Sequence, residues 1–165
     1  MSLRPAVFLD RDGVINRERD AHTWRLEDFE VLPGVPEAVK ALRSAGYEVV
    51  VITNQSGIGL GLYDHAAVEE VHRYLHDMFV AYGAQVTAIY YCPHHPSGGK
   101  CLCRKPGGLL LERAIARFGI DASRSVMIGD RQRDVDAAAS VGVRGLLVEA
   151  NAPLLPLINN EVLHT

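Results

Sequence analysis

Short apolar runs alternate with helix-spaced patterns along the chain. Ala6-Val7-Phe8-Leu9 is uniformly apolar and stops at Asp10, as expected of a strand buried on both faces. Residues 11–34 form a long, charged connection, and loops of that length usually carry function. A helix is predicted from Val35-Pro36-Glu37, with proline in its first turn, to a stop at Gly46. Tyr47 to Ile52 reads as the second strand. Gly57, Gly59 and Gly61 punctuate the next loop, and Asp64 is placed to cap a helix running to about Tyr82. Val86 to Tyr91 reads as a third strand, Leu109 to Phe118 as a helix stopped by Gly119, and Ser125 to Ile128 as a fourth strand. An alanine-rich helix to about Val141 and a fifth strand from Val143 to Val148 complete the pattern, with no element assigned to the last fifteen residues.

This alternation predicts a doubly wound, mostly parallel α/β sheet in three layers, with right-handed crossovers. No repeat and no inserted cap domain is visible, so residues 1–165 are expected to form one domain. Ligands of such sheets bind beyond the carboxyl ends of the strands. Three predicted strands end in polar chemistry there: Asp10-Arg11-Asp12, Thr53-Asn54-Gln55 and Gly129-Asp130.

Composition narrows the function. The 165 residues are 48% hydrophobic and 22% charged, which excludes a disordered chain. The net charge of −3 offers no general attraction for nucleic acid or anionic membrane, so an anion must be held by a local site. The apolar runs are strand-length and the first residues lack a signal-peptide pattern, giving the expectation of a cytoplasmic protein, taken to be a monomer.

Asp10, Asp12 and Asp130 gathered at one sheet edge would repel one another unless a hard cation neutralised them. Magnesium suits such a site, and carboxylates with magnesium point to phosphoryl chemistry. All three cysteines lie between Cys92 and Cys103, in the pattern Cys92-Pro93-His94 and Cys101-Leu102-Cys103. Three thiolates with one imidazole, from His94 or His95, make a tetrahedral zinc set with no open position, hence a structural metal. His72 and His76 are expected on a solvated helix face, His22 has no evident partner, and Trp24 is read as a packing anchor.

Phe8-Leu9-Asp10-Arg11-Asp12-Gly13-Val14 resembles the first motif of the haloacid dehalogenase superfamily of phosphatases. Val51-Ile52-Thr53-Asn54 resembles its second motif, Lys105 its third, and Gly129-Asp130 with Asp134 its fourth. The resemblance implies that Asp10 is the nucleophile of an aspartyl-phosphate pathway and Asp12 the general acid and base. It also implies that Asp10, Asp130 and the backbone carbonyl of Asp12 hold magnesium, that Thr53 and Asn54 bind the phosphoryl oxygens, and that Lys105 balances charge.

Within the superfamily, Tyr90-Tyr91-Cys92-Pro93-His94 and Cys101-Leu102-Cys103-Arg104-Lys105-Pro106 are similar to the heptose bisphosphate phosphatases and the related histidinol-phosphatases, both capless. That likeness favours His94 over His95. Gln55-Ser56-Gly57 leans toward the heptose enzymes, since histidinol-phosphatases more often carry aspartate in place of Ser56. Expected substrate contacts are Glu18, Arg19, Asp20, Ala21, Gln55, Ser56, Arg131 and Arg104, the last as a fork for a distal phosphate. The implied activity is hydrolysis of a small-molecule sugar phosphate, heptose 1,7-bisphosphate, in nucleotide-heptose and lipopolysaccharide biosynthesis. Histidinol phosphate is the alternative substrate, and a catalytically silent, zinc-stabilised binding protein the alternative of another class. The chain departs from the heptose pattern in lacking an arginine within Gly57–Gly61, in reading Gly107-Gly108 after Pro106, and in carrying Arg131 for the usual lysine.

Overall fold

The computed structural model describes residues 2–164. The strands are β1 (Ala6–Leu9), β2 (Glu48–Asn54), β3 (Ala88–Cys92), β4 (Val126–Gly129) and β5 (Arg144–Leu147), and the helices are α1 (Val35–Ser44), α2 (His65–Ala81), α3 (Leu109–Phe118), α4 (Gln132–Ser140) and α5 (Leu154–Glu161). The strands form one sheet in the order β3-β2-β1-β4-β5, with every pairing parallel. The order reverses beside β1, so the ligand crevice opens where β1 and β4 both end in aspartate.

Strand alternation divides the core in two. Val7 and Leu9 of β1 face one side with Val49 and Val51, packed against residues of α1, α2 and α5. Ala6 and Phe8 face the other side with Val50 and Ile52, against Leu110, Leu111 and Ala114 of α3 and Ala137 and Ala138 of α4. Such two-sided burial explains why β1 and β2 read as unbroken apolar runs. Asp64 caps α2 as expected, accepting a hydrogen bond from Ala67 N at 2.9 Å. No helix among the described residues is long and apolar enough to cross a membrane.

Three boundaries differ from expectation. β2 runs on to Asn54, because Thr53 and Asn54 pair with Tyr91 and Cys92 of β3. β3 begins later than the sequence pattern suggested, at Ala88. The unassigned C-terminal stretch contains α5, whose Leu154 and Ile158 are buried in the α1 layer. Pro156 is tolerated there because it lies in the first turn, where its missing N–H would have no partner.

Glu48 locks the amino end of β2. Its carboxylate accepts hydrogen bonds from Thr87 Oγ1, from Arg43 Nη1 at 2.6 Å and from Arg4 Nη1 at 3.2 Å. Burial alone would raise its pKa; Thr87, Arg43 and Arg4 outweigh that and hold it below the usual range. A depressed carboxylate stabilises the fold above its unfolded pKa and loses that contribution as pH falls through its folded value. Glu48→Gln is therefore expected to cost about 1–2 kcal/mol at pH 7, allowing for partial solvent screening. In denaturant titrations the gap to wild type should close as the pH is lowered from 5 to 3.

Candidate active site

Parallel strands deliver their carboxyl ends to one edge, which brings Asp10 after β1, Thr53 and Asn54 at the end of β2, and Asp130 after β4 into one crevice. Carboxylate oxygens of Asp10, Asp130 and Asp134 lie within 4.8 Å of one another. Lys105 Nζ, only 1% exposed, donates to Asp10 Oδ1 at 2.9 Å and to the Ile52 carbonyl at 2.7 Å, and pairs with Asp134 Oδ1 at 2.6 Å. Burial would lower the lysine pKa, but Asp10 and then Asp134 raise it above the usual value, so the ammonium persists. Asp10 is pushed up to about 7, chiefly by burial and further by Asp134, with Lys105 opposing. Asp130 is also raised, first by burial.

Two glycines allow this crowding. A Cβ on Gly13, whose φ is +88°, would sit 2.3 Å from Asp130 Oδ2. A Cβ on Gly129 would sit 2.2 Å from Asp134 Oδ2. Any side chain at either position would force a carboxylate out of the cluster.

Asp134 is spoken for by Lys105 and by the Arg131 backbone N–H, which donates to its Oδ2 at 3.1 Å. Asp10 and Asp130 are left as the pair whose like charges ask for a hard cation. An all-oxygen donor set of this kind fits magnesium.

Asp12 lies beside the cluster with a different environment. Its Oδ1 accepts from Arg11 Nη2 at 2.9 Å and Asn16 Nδ2 at 2.8 Å, and Gln55 Nε2 approaches Oδ2 at 3.4 Å. Burial would raise its pKa, yet Arg11, then the hydrogen bonds from Asn16, Arg11 and Gln55, hold it below the usual range. The two neighbouring carboxyls thus sit in opposite environments, burial favouring the proton on Asp10 while Arg11 and Asn16 favour the charge on Asp12.

A cavity of about 360 Å³ opens at Asp12, beside the cluster. It is lined by Asp12, Asn54 and Ser56 at or just after the strand ends, by Glu18, Asp20, Ala21 and His22 of the first loop, and by Arg131 and Arg133. The remaining expected contacts lie elsewhere. Gln55 is buried beneath the site, donating to Thr53 Oγ1 at 3.0 Å and accepting from Tyr63 Oη at 3.0 Å. Arg19 turns back to Asp28, 3.5 Å away. Arg104 lines a separate hollow with Lys100 and Pro106. Asn54 exchanges hydrogen bonds with the Lys105 backbone, at 3.1 and 3.3 Å, and so moors the lysine to β2. Trp24 stacks on Tyr63 with ring centroids 5.7 Å apart, in keeping with a packing role.

Several contributors were not anticipated. Arg133, in the first turn of α4 and three residues after Asp130, lines the cavity with Arg131. His72 is buried rather than solvated; its pKa falls to about 3 through burial and then Arg11, so the ring is neutral. Asn151 reaches back 133 residues: its Oδ1 accepts from Glu18 N at 2.7 Å, its Nδ2 donates to Glu18 O at 3.2 Å, and its own N–H donates to Gly13 O at 2.8 Å. It thereby pins the loop that walls the cavity. Asn151→Ala is expected to raise KM by about tenfold, roughly one lost hydrogen-bonded loop anchor, with kcat changed far less. Steady-state kinetics check this.

The cysteine loop closes on itself beside β3. Cys103 Sγ lies 2.9 Å from Cys92 Sγ and 3.2 Å from His94 Nδ1, and Cys92 Sγ lies 3.7 Å from Cys101 Sγ. Cys92, His94, Cys101 and Cys103 each offer one donor atom within 4.8 Å of the others, a soft tetrahedral set that fits zinc. His95 is occupied otherwise, its Nδ1 accepting from the Ser97 backbone at 3.1 Å.

Residues 3–142 match the model of the haloacid dehalogenase-like hydrolases. The chain is 40% identical over 153 residues to the D-glycero-β-D-manno-heptose-1,7-bisphosphate 7-phosphatase of Rhodopseudomonas palustris, covering 88% of this chain and 84% of that one. It is 37% identical over 164 residues to the Escherichia coli K12 protein of the same name, covering 94% and 85%. The D,D-heptose 1,7-bisphosphate phosphatase of B. bronchiseptica, solved with magnesium and phosphate, superposes with a TM-score of 0.83 at 35% identity, covering 98% of this chain and 88% of that one. With its parallel sheet, its aspartates at the ends of β1 and β4 and its buried lysine paired with Asp10 and Asp134, this chain belongs to the haloacid dehalogenase-like hydrolases.

Proposed function

We infer that the chain is a magnesium-dependent phosphomonoesterase that removes the C7 phosphate of D-glycero-β-D-manno-heptose 1,7-bisphosphate. The observation that carries this reading is the buried Asp10–Lys105–Asp134 cluster, with Asp130 gathered beside it, next to a cavity lined by Asp12, Arg131 and Arg133. A dead-end binding module has no reason to bury such a costly arrangement of charge.

Magnesium on Asp10 and Asp130, with the backbone carbonyl of Asp12, supplies charge neutralisation for the phosphoryl group when bound. Asp10 attacks phosphorus; as its oxygen–phosphorus bond forms, the bond to the sugar oxygen breaks and Asp12 gives that oxygen a proton. Asp12 is ionised beforehand, and an incoming phosphate dianion raises its affinity for the proton it must carry. In the second half Asp12 takes a proton from water, which attacks the aspartyl phosphate and frees Asp10 and inorganic phosphate. Lys105 offsets the charge of Asp10 and the phosphate, while Thr53, Asn54 and Ser56 orient the phosphoryl oxygens. Glu18, Asp20 and Ala21 meet the sugar hydroxyls, and Arg131 with Arg133 holds the second phosphate. Arg104 is a contact only for a substrate long enough to pass the cavity rim.

The test is a comparison of kcat/KM for the heptose bisphosphate and histidinol phosphate, with and without magnesium. Preference for the bisphosphate by tenfold or more is expected, as two arginine–phosphate contacts imply. Preference for histidinol phosphate overturns the substrate assignment. Zinc bound by Cys92, His94, Cys101 and Cys103 staples the loop that delivers Lys105. Purified protein is expected to hold about one zinc per chain, and a chelator strong enough to strip it should lower the melting temperature and the activity together. Zinc-free protein with full activity and unchanged melting contradicts the assignment.

A further inference from the structure

Arg11 is fully buried, and none of the steps above employs it. Its guanidinium is nonetheless fully committed. Nη2 donates to Asp12 Oδ1 at 2.9 Å and to the Thr23 carbonyl at 2.6 Å, and Nε approaches the same Oδ1 at 3.3 Å. Nη1 lies 3.2 Å from His72 Nε2, and the Phe29 ring sits 5.5 Å from the guanidinium carbon. Arginine has no acceptor, so the imidazole nitrogen facing it carries no proton and accepts.

The consequence falls on Asp12. Its Oδ1 receives three donors, Arg11 Nη2, Arg11 Nε and Asn16 Nδ2, none of which can accept a hydrogen bond. An oxygen so surrounded has no direction left in which to hold a proton of its own. Oδ2 meets only the long approach of Gln55 Nε2, at 3.4 Å, among the described residues. The carboxyl is therefore asymmetric by construction, with one oxygen closed and the other open, and Asp12 lines the cavity.

We propose that Arg11, braced from behind by His72, is a positioning residue that closes Asp12 Oδ1 to protons and makes Oδ2 the atom through which Asp12 exchanges them. As the bond from phosphorus to the sugar oxygen breaks and that to Asp10 forms, the Oδ2 proton passes to the departing oxygen, giving a neutral alcohol. Water then gives a proton back to Oδ2 as its oxygen bonds to phosphorus and Asp10 leaves as carboxylate. The proposal rests on the phosphomonoesterase reading and on the acid–base role of Asp12 within it.

Leaving-group dependence tests it. At saturating magnesium, kcat/KM is measured for a primary sugar phosphate, whose alkoxide needs a proton to depart, and for p-nitrophenyl phosphate, whose phenolate does not. Arg11→Lys is expected to lower kcat/KM about a hundredfold on the sugar phosphate and only about threefold on the aryl ester, the range that separates a working from a misaligned general acid. His72→Leu should show the same bias more weakly, and His72→Gln, which keeps an acceptor for Arg11, should restore the wild-type ratio. If Arg11→Lys does not fold, the His72 pair decides. Equal losses on both esters in folded variants overturn the proposal and leave Arg11 a structural residue. Asp12→Asn is the control for the underlying reading: loss of the sugar phosphate reaction with the aryl ester largely spared upholds the acid role of Asp12. Parallel loss of both overturns that role and the proposal with it.

Discussion

Asp10→Asn should abolish turnover, by a factor of about 10⁴ or more, while leaving the fold intact. An amide oxygen cannot form the phosphorylated carboxylate, and removal of a covalent nucleophile costs more than removal of groups that assist it. The same change should not weaken the metal-free protein at pH 8. Asp10 is raised to about 7 in the folded state, chiefly by burial, so its ionisation withdraws stability as pH rises from the unfolded value near 4 to about 7. Above that range the full cost is present in wild type and absent in the asparagine variant. A melting temperature at pH 8 equal to or above that of wild type, together with loss of phosphate release, is the expected pair of results. A variant that retains a tenth of the activity would exclude Asp10 as nucleophile.

Lys105→Met has the opposite balance, harming both fold and chemistry. Nζ is the cation between Asp10 and Asp134, and both carboxylates are buried. Breaking a buried pair by removing one partner typically costs about 3–5 kcal/mol, because the charge left behind has neither water nor counterion. Without the ammonium, burial pushes Asp10 up further. The loss of stability should therefore grow as pH rises through the raised value of Asp10 and shrink as pH falls below it, where that carboxyl is protonated in the folded protein. Activity should fall about 10²–10³-fold, the scale of losing one preorganised charge at a reacting phosphoryl group. Denaturant unfolding at pH 5 and pH 8 separates this account from simple loss of packing, for which the two differences from wild type would be equal.

Much of this arrangement was legible in the residues themselves. β1 and β2 are apolar on both faces because both faces are covered, and each run breaks at the polar residue that enters the crevice. The Cys92, His94, Cys101 and Cys103 cluster was legible because all three thiols of the chain fall within twelve positions that also hold His94. What escaped notice depends on contacts distant in the chain. Asn151 is joined to Glu18 across 133 residues, and α5 owes its place to packing on α1, since Pro156 within it gives no local signal for a helix. His72 was misplaced on a solvated face, although Val68, Val71, Leu75 and Phe79 mark a helical stripe on which it falls. A polar residue on an apolar stripe signals a buried partner, here Arg11. The direction of Arg11 itself has no local signature, because a loop residue between two aspartates can point to water or inward. Arg104 and Arg19 show the converse: motif position places a cation near the site without fixing where its long side chain goes.

Phosphorus NMR of the heptose bisphosphate incubated with the enzyme and magnesium tests the central claim most directly. The resonance of the C7 phosphate should disappear into inorganic phosphate while that of the C1 phosphate persists. Retention of both resonances, or loss of the C1 phosphate first, would contradict a C7 phosphatase built on Asp10.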